Sequence, residues 1–264
     1  MSPLVHDPLP GPLAVAPAPT VVQSTKTTGL ATPETFAFAA VPTDGNLLLL
    51  HLSSVGGQPL TAPPGFTLYY TQHTIQNSLL YGKIAAGESN SYQWTYAAAQ
   101  KYAVLGVEIA GMDPGALPPV GEANGGTGTA LASTPLTPTV LNCLPLAFGA
   151  NQANAATTGV SPGWTQLQST PTTNIAAFLY GGTPTTDLVT PTSIAWTWAV
   201  TTTWWTMISV LLAPMQLTSG GDTPQGPYQG PLGGGSPGGL DAWYPGARGD
   251  ALRAVFTQPR RGGT

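Results

Sequence analysis

Charged side chains are scarce in this 264-residue chain, where Asp, Glu, Lys and Arg together make up 7% against roughly 25% in an average soluble domain. Hydrophobic residues reach 42%, so the composition is not that of a disordered chain, which combines low hydrophobicity with high charge. The net charge of −4 leaves no basic surface of the kind that nucleic-acid binding requires. We therefore expect no nucleic-acid partner.

Cysteine is almost absent, and long apolar runs are missing. Cys143 is the only cysteine, which excludes an intramolecular disulfide and a cysteine-rich metal site. The longest apolar stretch, 204–215, is too short and too interrupted to span a bilayer, so we expect no membrane insertion. The N-terminus lacks the basic start and apolar core of a signal peptide. Release within a virus particle is then one route by which the protein could act outside a cell.

Proline and glycine are concentrated at the two ends of the chain. Residues 1–19 hold six prolines, and residues 214–264 hold 13 Gly and 7 Pro. Prolines at this spacing prevent a helix and disfavour a central strand. The sequence therefore predicts an extended N-terminal arm over 1–26 and a Gly/Pro-rich C-terminal arm over 215–264.

Between the arms, short runs rich in Val, Leu, Thr, Tyr and Trp alternate with turn residues, which is typical of a β-sandwich or barrel. In the segment 103–109, the odd positions are apolar, while Gly106 and Glu108 fall on the other face. This alternation predicts a half-buried strand with Glu108 directed to solvent. The segment 204–212 is apolar on nearly both faces and predicts a strand that is covered on both sides.

An internal repeat organises this central region. The runs GNLLLL (45–50), PGFT (64–67) and SYQWTY (91–96) recur in order as NCLPLA (142–147), PGWT (162–165) and SIAWTW (193–198). The sequence thus predicts an all-β fold, a duplicated antiparallel β-sandwich that is jelly-roll-like, with two repeats of about 100 residues. We place the first repeat at 27–120 and the second at 121–214.

Aromatic residues alternate onto one face in both repeats. We assign these rings to the core, and the alternative is a platform on which sugars stack, which would need exposed rings. The predicted core aromatics are Tyr92, Trp94, Tyr96, Trp196 and Trp198.

The succession GNLLLL, PPGFT, SYQWTY and YAVLGVEIAGMDP, repeated as PGWTQ, SIAWTW and WWTMISVLLAP, resembles a β-sandwich family of bacteriophage minor tail and other virion proteins that is common in phages of actinobacteria. The resemblance covers residues 27–214 and leaves both arms outside. It implies a displayed β-sandwich in a particle and supplies no catalytic residues.

Catalytic signatures are weak. Residues 234–238 match the G-x-S-x-G nucleophile elbow, but Pro237 after Ser236 has no backbone N–H for an oxyanion hole. The histidines His6, His51 and His73 are scattered along the sequence, and no carboxylate is adjacent to His51 or His73. We therefore expect no enzyme activity, no cofactor and no metal. An envelope-degrading hydrolase is the enzymatic alternative, because sequence alone does not exclude two carboxylates facing one cleft.

The end of the C-terminal arm reads as a docking peptide. Asp250 is placed to cap a short helix that carries an apolar stripe, and Pro259 follows it. Such a stripe fits a partner groove, with cations around it. The predicted docking residues are Leu252, Val255, Phe256, Arg248, Arg253, Arg260 and Arg261.

These features predict a non-enzymatic virion structural protein, a phage minor tail or tail-tip component that docks through its arms. Its partners would be other virion proteins and copies of itself, and its location the extracellular particle. A capsid decoration protein is the nearest alternative. A carbohydrate-binding module that recognises a glycan of the host cell envelope is the alternative from another class.

Overall fold

The computed structural model describes residues 15–216 except 31, 56–59, 74–75, 153–154 and 171–174. This part of the chain is all-β, with antiparallel sheets and no α-helix. Its one helical turn is the 3-10 segment Pro114–Ala116, whose first backbone groups are capped by the Asp113 side chain. The predicted all-β class is confirmed.

Fourteen strands are present in the described residues. They are β1 (Thr20–Gly29), β2 (Glu34–Ala37), β3 (Leu47–Val55), β4 (Leu60–Thr61), β5 (Thr67–His73), β6 (Gln76–Ile84), β7 (Ser91–Tyr96), β8 (Tyr102–Ala110), β9 (Val120–Ala132), β10 (Leu144–Asn151), β11 (Thr157–Thr158), β12 (Trp164–Thr170), β13 (Ala176–Gly182) and β14 (Ala195–Leu212).

Two large sheets form the body of the structure. The first has the strand order β1-β8-β3-β6-β5. In the second, the later part of β14 lies between β9 and β10, so that the order across it is β9-β14-β10-β13-β12. The two orders correspond strand by strand, with β14 and β10 in the places of β8 and β3. The pairing of these central strands corresponds too, since Leu47 pairs with Ile109 in the first sheet and Leu144 with Leu212 in the second.

A smaller three-stranded layer accompanies each large sheet. In the first half of the body, which comprises β1 to β8, its order is β2-β7-β4. The second half comprises β9 to β14. In the second half the beginning of β14 takes the place of β7, between the end of β9 and β11. The single long strand β14 therefore belongs to both layers of the second half. In the first half, two separate strands, β7 and β8, take the corresponding positions.

Alternating side chains on the central strands build three apolar layers. Leu47 and Leu49 belong to a core between the two large sheets, together with Phe148. The intervening Leu48 and Leu50 point the other way, into a core under the small sheet of the first half, because successive residues of a strand face opposite sides. A third core, under β11 and the start of β14, contains Trp196 and Trp198.

Strand β8 differs from its expectation. It is buried on both faces, not half-buried, because the small sheet covers its second face. A Cβ on Gly106 would lie 2.1 Å from the ring of Phe36. Alternation alone identified the two faces but not the extra layer.

Both ends of the described chain lie at the same end of the two-sheet body. The bridge between Met112 and Pro214 joins the segments that follow β8 and β14. The Met215 N–H donates to the Gly111 carbonyl at 2.8 Å, and the Asn142 side chain donates to the Ala16 carbonyl at 2.7 Å. We call this the arm end.

The structure differs from the two predicted arm boundaries. Strand β1 already begins at Thr20 and pairs with β8, so residues 20–26 belong to the sheet and not to the N-terminal arm. The proline-rich composition stops at Pro19, and the following TVVQSTKTT is rich in β-branched residues that favour strand. At the other end, the Met215 hydrogen bond keeps 215–216 with the body.

Candidate assembly surface

Side chains that could ligate a metal do not cluster in the described residues. No set of three or more His, Cys, Asp or Glu side chains there could hold a metal ion. Ser236, the serine of the elbow pattern, lies outside the described residues.

His51 lies on β3, between the two large sheets. Its ring is fully buried, its Nε2 hydrogen-bonds with the Ser78 hydroxyl at 2.8 Å, and the ring of Phe148 packs on it at 5.4 Å. Burial lowers the pKa of His51 to about 3, because desolvation disfavours the imidazolium form. A neutral imidazole enclosed between two sheets is a core residue.

Glu108 is fully buried, so the expectation that it faces solvent is wrong. Its carboxylate accepts hydrogen bonds from the Gln23 side chain at 2.5 Å, the Thr43 N–H at 2.8 Å and the Asn46 side chain at 2.6 Å. Burial by itself raises the pKa of Glu108, but these hydrogen bonds outweigh it and hold the pKa below its usual value. The carboxylate ties together β1, β8 and the loop before β3.

The aromatic stripes point inward. All five predicted core aromatics are buried, with Trp94 2% and Trp196 1% exposed. Trp204 and Trp205 are buried as well, and Trp164 is only partly exposed. A sugar-stacking platform needs an open ring face, so the stripes do not provide one.

A hydroxyl-lined cleft of about 160 Å³ lies against the loop of residues 183–192. Asp187 is fixed there by hydrogen bonds from the Thr190 N–H and hydroxyl and the Val189 N–H. These bonds, with that of the Thr190 N–H largest, lower the pKa of Asp187, so it is charged at neutral pH. Among the described residues, no aromatic ring lines this cleft, so they provide no stacking surface of the kind typical of sugar sites.

On the arm end, next to this loop, lies a groove of about 250 Å³ that we call the arm groove. It is largely apolar, although its side chains are accessible: Val15 is 59% and Leu188 46% exposed. Val189 and Met215, which adjoin lining residues in sequence, are also exposed. The groove is lined by Val15, Ala16, Thr139, Val140, Leu141, Leu188 and Gln216.

The arm groove lies where both arms leave the body, since Val15 and Gln216 are the first and last described residues. The groove leaves no signal in the sequence, because its walls are loop residues without periodicity. The predicted docking residues Leu252, Val255 and Phe256, and the arginines 248, 253, 260 and 261, lie outside the described residues, so their role stays a prediction.

In comparisons with known proteins, no family model, no curated protein and no solved structure matches this chain. Within the described residues, no helix is long and apolar enough to cross a membrane.

Proposed function

We propose that this chain is a non-enzymatic structural protein of a virus particle, a phage minor tail or tail-tip component that docks through its arms and displays its sandwich. One observation carries the proposal. Both arms leave from the same end of the body, where Pro214 bridges Met112 and Asn142 holds Ala16. A protein tethered at one end presents its opposite end.

The opposite end consists of strand ends and connections from both halves. Because β3 and β10 run antiparallel to β8 and β14, Val55 and Asn151 lie far from the arm end. Leu30, just after β1, lies there too, since Gly29 pairs with Tyr102 at the start of β8. Connections at the end of a rigid sandwich are where binding functions are usually placed.

We also propose that the body is a duplicated, jelly-roll-like sandwich. Its support is the matched strand order of the two large sheets and the matched pairing of Leu47 and Leu144 with their partners. Two fused copies of one module give a large rigid body without disulfides, which suits a chain with one buried cysteine.

The virion assignment rests on the low charge, the arms and the resemblance described above. Other virion proteins and copies of this chain are the proposed partners. Decoration of the capsid is the alternative position in the particle. Recognition of a host glycan has little support, because the described tryptophans, apart from the partly exposed Trp164, are buried.

The test is incorporation into particles. In the full chain, Leu252, Val255 and Phe256 are replaced together by Ser, and the amount of protein in purified particles is measured by quantitative mass spectrometry. We expect incorporation to be lost while the melting temperature stays unchanged, because a Gly/Pro-rich terminal segment contributes little to a packed core.

A matched control replaces three exposed apolar residues of the body, Val22, Leu30 and Leu68, by Ser. This variant also replaces three apolar side chains by Ser and is expected to enter particles normally. Normal incorporation of the tail variant would contradict arm docking. Absence of the wild-type protein from purified particles, with the protein free in the host cytosol, would end both the tail and the capsid versions.

A further inference from the structure

We propose that Asn124 is a modification site, at which the side-chain amide is lost without an enzyme through reaction with the backbone nitrogen of Gly125. The product is an aspartate or an isoaspartate in strand β9. Asn124 is the only asparagine of the chain that precedes a glycine. The inference does not depend on the proposed function, because it concerns only the chemistry of the folded body.

The hydrogen bonds of the Asn124 side chain bring the reacting atoms together. The Gly125 N–H donates to Asn124 Oδ1 at 2.8 Å. Since Oδ1 is bonded to Cγ, the backbone nitrogen lies beside the carbon that it attacks. Asn124 Nδ2 donates to the Ala132 carbonyl at 3.2 Å, which fixes the plane of the amide. Reacting groups that are already held in contact gain rate, because no encounter is needed.

The glycine and the irregular ladder around it leave room for the reaction. Any other residue at position 125 would place a Cβ beside the attacking nitrogen, whereas glycine has none and is conformationally permissive. The ladder between β9 and β14 is regular up to the pair of Gly126 and Trp205, and then changes register twice. Asn124 and Gly125 are both partly exposed, so water reaches the intermediate that forms between them.

At two other asparagines the following backbone N–H is held by a different group. The N–H after Asn90 donates to the Ser89 hydroxyl at 3.3 Å, and the N–H after Asn142 donates to the Thr185 hydroxyl at 3.0 Å. A misplacement of about 1 Å from the reactive geometry costs on the order of 100-fold in rate. We therefore expect Asn90 and Asn142 to react on the order of 100-fold more slowly than Asn124.

The reaction needs only water as a co-reactant. The Gly125 nitrogen gives its proton to a solvent base and forms a bond to Asn124 Cγ. The Cγ–Nδ2 bond breaks, and Nδ2 leaves as ammonia after taking up a proton. Water then opens the cyclic imide. Opening at Cγ gives aspartate, and opening at the original backbone carbonyl gives isoaspartate, so one neutral amide has been replaced by one carboxylate.

The product changes strand β9 in two ways. The new carboxylate adds a negative charge to the face that carries Glu122, because residues two apart in a strand share a face. In isoaspartate the main chain also passes through Cβ, which inserts one carbon into β9 opposite Met207 and Thr206. An insertion in one strand disrupts the ladder locally, as a bulge does. We expect the isoaspartate form to unfold at a lower guanidinium concentration than the fresh protein.

Ageing of the folded full chain tests the proposal. The protein is incubated at mildly alkaline pH, where the attacking nitrogen loses its proton more readily, and ion-exchange chromatography follows its charge. We expect a species with one added negative charge, and peptide mapping by mass spectrometry should locate aspartate and isoaspartate at position 124. Asn124→Gln should not form this species, because its longer side chain would have to close a larger ring. Asn90→Gln is the matched control and should form it at the wild-type rate.

The unfolded chain supplies the reference. The same incubation in guanidinium measures the reaction of the Asn124–Gly125 pair without the contacts of the fold. A gain of charge in guanidinium with none in the folded protein over the same time would overturn the proposal, because the fold would then protect the site. An unchanged position 124 under both conditions would overturn it too, and so would equal rates at Asn124, Asn90 and Asn142 in the folded protein.

Discussion

A histidine in the centre of an apolar core is accepted here because it stays neutral. His51 contacts Phe148, and both side chains are fully buried. The Nδ1 atom of His51 has no hydrogen-bond partner, so protonation would place an unpaired charge between the two large sheets. Burying an unpaired charge costs far more than burying a neutral ring. The residue is therefore a pH-dependent weak point of the fold.

We predict that the folded state loses stability as the pH falls below about 6.5. Unfolded His51 takes up a proton near its ordinary pKa, whereas folded His51 does so only at its lowered pKa of about 3. Between these values the unfolded state binds more protons, and stability falls by up to about 1.4 kcal/mol per pH unit. His51→Leu should flatten this slope, measured by urea unfolding between pH 6.5 and 5, above the range in which carboxylates titrate.

Comparison of the two proteins at pH 8 gives the cost of substitution itself, since His51 is neutral there in both states. An unchanged slope in His51→Leu would contradict the prediction. Glu108 titrates in a lower range, because its pKa is below the usual carboxyl value. Its stabilising effect is complete above that usual value and is lost only as the pH falls through the lowered one.

At the scale of strands, the repeated sequence runs predict where strands and turns lie, because each run corresponds to a strand or a turn. The predicted strand 103–109 lies within β8. Gly65 and Gly163, after the prolines of PGFT and PGWT, adopt φ of +80° and +82°, which glycine tolerates and other residues rarely do. Local chemistry of this kind is readable from sequence.

Other features depend on contacts that sequence does not contain. The merger of the Trp196 and Trp204 segments into the single strand β14 depends on β9 pairing along most of its length. The burial of Glu108 depends on Thr43 and Asn46, which are distant in sequence. The arm groove joins loops near residues 15, 140, 188 and 216. None of these contacts leaves a period or a motif.

The small sheet of the first half is held by one strand of aromatics, and we predict that Trp94→Ala costs roughly 3–5 kcal/mol of folding free energy. The Trp94 ring packs edge-on against Tyr102 and lies beside Phe36, so its removal leaves a cavity between the layers. Guanidinium unfolding followed by circular dichroism measures the cost. Leu68→Ala, at a side chain 45% exposed, should cost less than about 0.5 kcal/mol. A cost below about 1 kcal/mol for Trp94→Ala would mean that the ring is not part of the core.

At the scale of the whole molecule, the core between the two large sheets determines whether the two halves unfold together. The two large sheets contribute jointly to one cluster, with Leu49 and Leu105 from the first sheet and Phe148 and Val210 from the second. Polar contacts between the halves add to it, such as Lys26 donating to the Ser169 carbonyl at 2.6 Å. Neither half can bury this face alone, so the halves should share one folding transition although the sequence repeats.

We therefore predict that a destabilising change in one half lowers the unfolding midpoint of the other. Among the described residues, Trp94 is the only tryptophan of the first half, while Trp164, Trp196, Trp198, Trp204 and Trp205 belong to the second. In Trp94→Ala, tryptophan emission from the body thus reports on the second half, and its transition should move to lower guanidinium concentration together with the circular dichroism signal. Replacing Trp243, which lies outside the described residues, by Phe in both proteins removes the tail's contribution.

An emission transition that stays at the wild-type midpoint while circular dichroism shows an earlier step would mean that the halves unfold independently. The central core would then be a docking interface between two separately stable domains.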